Sequence, residues 1–286
     1  MRFKVISSFA AIVFFAISFV SRPQSRKNAF EVASVKPNGS RDLRARMDIQ
    51  PGGRFTATNV SLRMLITNAY QLFNYQIAKG PDWVEKDRWD VAAKGEEGSR
   101  PATPARSPGV PSDTQVLLQA LIEDRYKLKA HKETRNLRVY NLVVMKGRVK
   151  IKLSDNQTPP APRDDAEIPR PYWGGAIEHG NVMLGPSNIH ATGITLAELA
   201  RSLSLVLGRQ VVDRTMLKGR YDISLEWTSD ISQPMDIYDP TMPFPRYPNA
   251  PSIYTAIEER LGLRLVSSNG PVEVLIIDNV QKPTAN

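Results

Sequence analysis

The chain has 286 residues, 41% hydrophobic and 23% charged, enough for one large or two medium domains around a buried core. Its 38 Lys and Arg against 29 Asp and Glu give a net charge of +9, which favours acidic proteins or anionic surfaces as neighbours. The absence of cysteine excludes disulfide scaffolds, Cys-ligated zinc, iron–sulfur clusters and thiol nucleophiles, and with only His131, His179 and His190 available no metal or cofactor is expected.

Arg2 and Lys4 precede an uncharged run from Val5 to Val20, the order of a secretory leader and shorter than the ~20 residues of a membrane span. Residues 1–28 therefore read as a signal peptide cut between Ser21 and Asn28, or as an N-terminal anchor if left uncut. The mature protein is expected in the periplasm or outside the cell. Phe30–Lys36 reads as a strand on a first sheet, followed by a strand at Gly53–Thr58. Ser61 then stands as the N-cap of a helix whose apolar positions Leu62, Leu65, Ile66 and Ala69 share one face. The helical pattern ends before Gly80-Pro81, and a strand follows at Trp89–Ala93. Beyond an insert at 95–113 rich in Pro, Gly and Ser come a helix at Thr114–Tyr126 and two strands, Lys127–Glu133 and Leu137–Val144. Arg148–Leu153 alternates cation and aliphatic, the pattern of one more strand.

After a linker at 155–171 the same order returns. A strand at Asn188–Thr192 leads to the N-cap Thr195, with Glu198 at capping-box spacing and Leu196, Leu199, Ala200 and Leu203 on the buried face. Gly208 breaks the helix, a strand occupies Tyr221–Trp227, and a Pro- and aromatic-rich insert runs over 229–251. The last elements are a helix at Ser252–Leu261 and strands at Arg264–Ser267 and Val272–Asp278, with Asn269-Gly270 as the hairpin turn between them.

Residues 55–65 align with 189–199 at an offset of 134, Arg88–Val91 with Arg220–Ile223 at 132, and Leu118–Leu128 with Ile253–Leu263 at 135. Collinear blocks at nearly constant offset indicate an internal duplication. The expected fold is α+β: two similar β-α-β-α-β-β lobes, residues 29–153 and 172–283, with helices packed on small mixed sheets.

No nucleophile elbow, P-loop, dinucleotide fingerprint or zinc-protease motif is present. The binding candidates are cations. Arg148, Lys150 and Lys152 fall on one strand face, and Lys127 and Lys129 add to it, with Arg44, Arg46, Lys132, Arg135 and Arg138 as extensions. Such a face suits an envelope protein or an anionic glycan or lipid surface. Nucleic acid is not expected, because no aromatics interleave with the cations to stack bases. Asp90 and Asp222, which recur beside Arg88 and Arg220, read as a repeated strand-edge ion pair or turn hydrogen bond. They are also the carboxylates a hydrolase would use.

FEVASVKPN (30–38), GGRFTATNVSLRMLITNAY (52–70), GPDWVEKDRWDVAAK (80–94), LLQALIEDRYKLKAHKETR (117–135), GRQVVDRTMLKGRYDISLEW (208–227) and GPVEVLIIDNVQKP (270–283) together resemble a large soil-bacterial family of exported proteins known as a domain of unknown function. That resemblance implies export and, in some members, fusion to membrane peptidase modules like those of beta-lactam sensors. It implies no activity, catalytic residue or cofactor. The strand, capped helix, strand core of each copy is also similar to the short N-terminal domain of secretins and TonB-dependent receptors, a protein-interaction module. The expected function is a non-enzymatic binding module. A hydrolase of envelope or plant polymers and a ligand-sensing domain that regulates a membrane protein stand as alternatives.

Overall fold

The computed structural model describes residues 29–40, 44–50, 54–95, 113–147, 149–160, 179–185, 187–228 and 247–284. The expected leader lies outside these residues, as do most of the three Pro-rich stretches and Arg148. Within them the chain forms a mixed α+β structure of three four-stranded sheets and a few helices.

The first sheet is antiparallel throughout, in the order β1-β5-β3-β2, from β1 (Val32–Pro37), β2 (Arg46–Gln50), β3 (Arg54–Val60) and β5 (Trp89–Lys94). Helix α1 (Leu62–Ala69) starts where Ser61 Oγ accepts from the Met64 N–H at 3.2 Å, which satisfies an amide that the first turn leaves free. Its face of Leu62, Leu65, Ile66 and Ala69 is fully buried, as the 3.6-residue period requires. The single turn α2 (Trp83–Lys86) and helix α3 (Asp113–Arg125) complete this half, α3 delivering Leu118, Ile122 and the adjoining Tyr126 to the same core.

A second antiparallel sheet, in the order β7-β11-β9-β8, comprises β7 (Lys152–Leu153), β8 (Asn181–Leu184), β9 (Asn188–Ile194) and β11 (Tyr221–Glu226). Helix α4 (Leu196–Leu207) carries the expected capping box. The Glu198 N–H donates to Thr195 Oγ1 at 3.2 Å, and the Thr195 N–H to Glu198 Oε2 at 2.6 Å. Gly208, at φ 57°, ends the helix in the left-handed conformation that a glycine adopts without strain. Helix α5 (Ile253–Ala256), capped by Ser252, widens into a π turn over Ile257–Leu261.

Between these halves runs the third sheet, ordered β10-β6-β12-β4, where β4 is Ile77–Ala78, β6 Lys129–Val144, β10 Val211–Asp213 and β12 Leu263–Asn279. β6 and β12 pair antiparallel along their length, from Leu263 opposite Val144 to Asn279 opposite Lys129. β4 lies parallel to β12 at Leu275, and β10 parallel to β6 at Tyr140. Each end of one ribbon face enters a core: Leu275 and Ile277 join the first, Leu142 and Leu263 the second. On the same face the middle of the ribbon is exposed and polar, with Thr134, Asn136 and Arg138 beside Asn269, Pro271 and Glu273. The opposite face buries Val139, Val272, Val274 and Ile276 in a third, smaller core with Tyr75, Ala78 and Leu137.

This ribbon corrects two sequence expectations. Lys127–Glu133 and Leu137–Val144 are parts of one strand, and Asn269-Gly270 makes no hairpin but stays extended opposite Arg138 and Leu137. A hairpin turn is a local preference, and here the ladder to β6, with Val272 and Val274 buried beneath it, outweighs that preference. Gly270 is used instead for close packing, since a Cβ there would come within 3.3 Å of Val139 Cγ2. The alternating stretch before Ser154 is likewise a strand at Lys152–Leu153 only, because the Lys150 N–H turns to the Leu261 carbonyl at 3.1 Å.

Candidate functional site

The recurrent aspartates are built into two β-bulges. In β3 the pairing with β5 slips between Ala57 and Val60, and Asn59 takes up the slack at φ 55°. Asp90 Oδ1 accepts from the Asn59 N–H at 2.9 Å and from Asn38 Nδ2 at 2.7 Å. In β9 the residue at the corresponding slip is Gly193, at φ 64°. Asp222 Oδ1 accepts its N–H at 3.0 Å, while Arg220 Nη1 donates to its carbonyl at 2.7 Å, so one arginine and one aspartate grip both ends of the same residue. Any Cβ at position 193 would collide with the His179 ring, which makes glycine a steric as well as a conformational need. The turn-hydrogen-bond reading of these aspartates is thus the one the geometry supports. They sit in different sheets, each facing its own bulge. Arg220 forms its ion pair with the capping residue Glu198 at 3.7 Å, and Arg88 Nη1 contacts Met64 Sδ at 3.6 Å.

The histidines are similarly engaged. His131 Nδ1 lies 2.7 Å from Asp278 Oδ2 across the ribbon's end, so its spatial neighbour is a carboxylate although lysines surround it in sequence. His179 Nε2 meets the Thr158 carbonyl at 2.8 Å, and His190 Nδ1 meets Ser224 Oγ at 3.2 Å on the adjacent strand. Among the described residues no group of three His, Asp or Glu side chains is placed to hold a metal ion.

The candidate cations separate into two places. Lys127, at φ 51° and 3.5 Å from Asp124, and Lys129 stand at the start of β6. Lys150 and Lys152 come after its far end, about 50 Å of strand away at ~3.3 Å per residue. Lys150 Nζ donates to the Glu259 carbonyl at 2.8 Å, where the negative end of the helical segment favours a cation. Lys152 Nζ lies 3.7 Å from both Asp155 and Asp222. Arg148 lies outside the described residues. Of the extensions, Lys132 pairs with Glu273 at 2.8 Å and Arg135 with Glu133 at 3.1 Å, so acids interrupt the basic surface along the ribbon.

Sequence reading missed an aromatic cluster between β6 and α5. The Tyr140 and Tyr254 hydroxyls are 3.0 Å apart, and Arg209 stacks over the Tyr140 ring at 4.9 Å. Burial, then the neighbouring Tyr140 hydroxyl, push the Tyr254 phenol up to about 12. The two tyrosines lie more than a hundred positions apart, and no local spacing announces them. A second missed group is internal: Trp89 Nε1 and the Tyr126 hydroxyl are buried without a hydrogen-bond partner among the described residues, their rings edge to face at 5.6 Å. Neither opens to the surface, so both belong to the core.

Among the described residues no helix is long and apolar enough to cross a membrane. No curated protein and no solved structure matches the chain. A family model does match, over residues 63–280, well over half of the sequence, and the chain therefore belongs to DUF3738, a family of proteins of unknown function.

Proposed function

We propose that the chain is an exported, non-enzymatic interaction module of two duplicated lobes that binds a protein of the cell envelope, with anionic glycan or lipid as the competing ligand its charge would attract. The observation that carries this reading is how the recurrent polar residues are employed. Asp90, Asp222 and Arg220 hold bulges, and Ser61, Thr195 and Glu198 hold helix ends. What they leave for recognition is strand surface: the polar middle of the β6–β12 ribbon and the sheet edges. Duplication is supported by the matching orders β1-β5-β3-β2 and β7-β11-β9-β8. The ribbon's pairing agrees, since Asn136 faces Pro271, its counterpart at the repeat offset of 135. Export rests on the leader-like residues 1–28.

The test is a capture experiment on envelope extract with the exported protein at low and at raised salt, in parallel with a variant carrying Lys127→Glu, Lys129→Glu, Lys150→Glu and Lys152→Glu. A single protein retained at raised salt by both forms supports the module. Glycan or lipid recovered only at low salt, and lost with the variant, reduces the role to charge-driven association. Turnover abolished by substitution of one polar residue would overturn the reading. Cell fractionation with sequencing of the mature N-terminus checks export, the expected start falling between Ser21 and Asn28.

A further inference from the structure

The two outer sheets share a strand order but not an edge. In the first, β1 covers β5 from Trp89 to Lys94, with the Asn38 N–H on the Arg88 carbonyl at 2.8 Å, Ser34 opposite Ala92 and Val32 opposite Lys94. In the second, β7 begins in the same way, with the Ser154 N–H on the Arg220 carbonyl at 2.9 Å, Leu153 opposite Tyr221 and Lys152 opposite Asp222. There it stops, because the chain before Lys152 turns away to the π turn.

Antiparallel ladders alternate, and the odd residues of β11 face β9, as the Trp227 N–H on the Ser187 carbonyl shows. The N–H and C=O groups of Ser224 and Glu226 therefore point to the uncovered side. Among the described residues no strand pairs with them there. These are the counterparts of Ala92 and Lys94, the residues that the first half of β1 covers. Val149 and Leu153, 48% and 56% exposed, flank the place where the chain departs. An edge that no described strand covers, bordered by exposed aliphatics, is a template for another strand.

We propose that the Ser224–Glu226 edge of β11 takes an extended segment of a partner protein, added antiparallel as a strand, made of small and aliphatic residues like those of Val32–Val35. The occupant's chemistry is taken from the molecule itself, since β1 is the strand that fills the equivalent place. Pairing of two copies through this edge is disfavoured, because a twofold centred on Ser224 sets Glu226 against the other copy's Asp222, like charge against like. The proposal rests on the interaction-module reading and names the mode by which a partner is held.

The probe is a peptide of residues 30–35, FEVASV, titrated by NMR against the labelled protein up to about 5 mM, where even millimolar complexes register. Shifted and slowly exchanging amides at Ser224 and Glu226 are expected, with Ile223 and Leu225 protected before and after. N-methylation at the Ser34 position of the peptide, whose N–H faces the Ser224 carbonyl, should weaken binding at least about tenfold. Methylation at the Ala33 position, facing away, should leave it unchanged. Ser224→Pro, which removes an outward N–H without touching the β9 ladder, gives the same test from the protein's side. No response at Ser224 and Glu226, or equal binding of both methylated peptides, overturns the proposal. An envelope partner captured at raised salt alongside such a failure leaves the module standing without this mode. Peptide binding without any envelope partner does the reverse.

Discussion

Removing the Asp90 carboxylate tests whether the recurrent aspartates are structural. Asp90→Ala deletes two hydrogen bonds, from the Asn59 N–H and Asn38 Nδ2, and strands the amide of a residue that is 5% exposed. A hydrogen bond from a buried donor to a charged group contributes about 1.5–3 kcal/mol, and a more exposed one about 0.5–1.5 kcal/mol. Counting the buried amide at about 2 kcal/mol and the partly exposed Asn38 contact at about 1 kcal/mol gives a loss of about 3 kcal/mol. At about 2–4 °C per kcal/mol for a chain of this size, the melting temperature should fall by about 6–12 °C. Asp90→Asn keeps an oxygen in the acceptor position and should lose under about 1.5 kcal/mol. The assay is thermal and urea unfolding followed by circular dichroism, with Asp222→Ala alongside. Asp222 accepts a single hydrogen bond, from the Gly193 N–H, where Asp90 accepts two, so its loss should be smaller, about 2 kcal/mol. If Asp90→Ala unfolds within about 1 °C of the parent, the carboxylate does not hold the bulge and is free for chemistry.

Gly193→Ala should cost more than about 3 kcal/mol, since it combines a left-handed backbone with a collision against His179; stability within about 1 kcal/mol of the parent in urea melts would refute the bulge geometry. Met216 is 91% exposed at φ 61° in a loop fixed by Asp213 and Thr215, so Met216→Gly loses no packing and relieves about 1–2 kcal/mol of strain against ~0.7 kcal/mol of unfolded-chain entropy. A rise of about 0.5–1 kcal/mol in unfolding free energy is expected, and a fall would show that the side chain has a partner. Burial raises the phenols of Tyr70 and Tyr75 from an ordinary value of 10.0 to about 12, and that of Tyr126 further. The folded chain therefore holds those protons more tightly than the unfolded one, and stability present below pH 10 should drain away as pH rises toward 12, seen as a falling urea midpoint with the tyrosinate absorbance of these three residues appearing on unfolding. Tyr126→Phe removes an unpartnered buried hydroxyl and should shift that decline to higher pH without lowering neutral stability; a loss above about 1 kcal/mol at pH 7 would mean that the hydroxyl is satisfied.

What was legible in the sequence is what neighbouring residues decide. Ser61, Thr195 with Glu198, and Ser252 mark helix starts because capping is settled within one turn. The alternation in 89–93 and 221–226 marks strands because one face of each is buried. Asn269-Gly270 misled for the complementary reason: its pairing partner is more than 130 residues away, and a local turn rule has no knowledge of Arg138. The candidate cations were visible as residues but not as places, because the length of β6 decides that Lys127 and Lys150 stand apart. Which stretch of β11 no described strand covers was not legible at all. It depends on where β7 stops, and Lys150 leaves the sheet for a carbonyl at Leu261 that no spacing rule connects to it.

The exchanged pairing of the central sheet governs the order in which the molecule can be completed. Ile77 and Ala78, near the front of the chain, pair with Leu275 and Ile276, and the first core is closed by Leu275 and Ile277. Until those last residues emerge, the N-terminal half lacks part of its interior and one partner strand, and closing so long a loop is slow. A nascent chain of this protein lacks those contacts until Leu275 and Ile277 have been made. A stop codon just ahead of Leu275 would take Leu275 and Ile277 from the first core and the partner strand from β4.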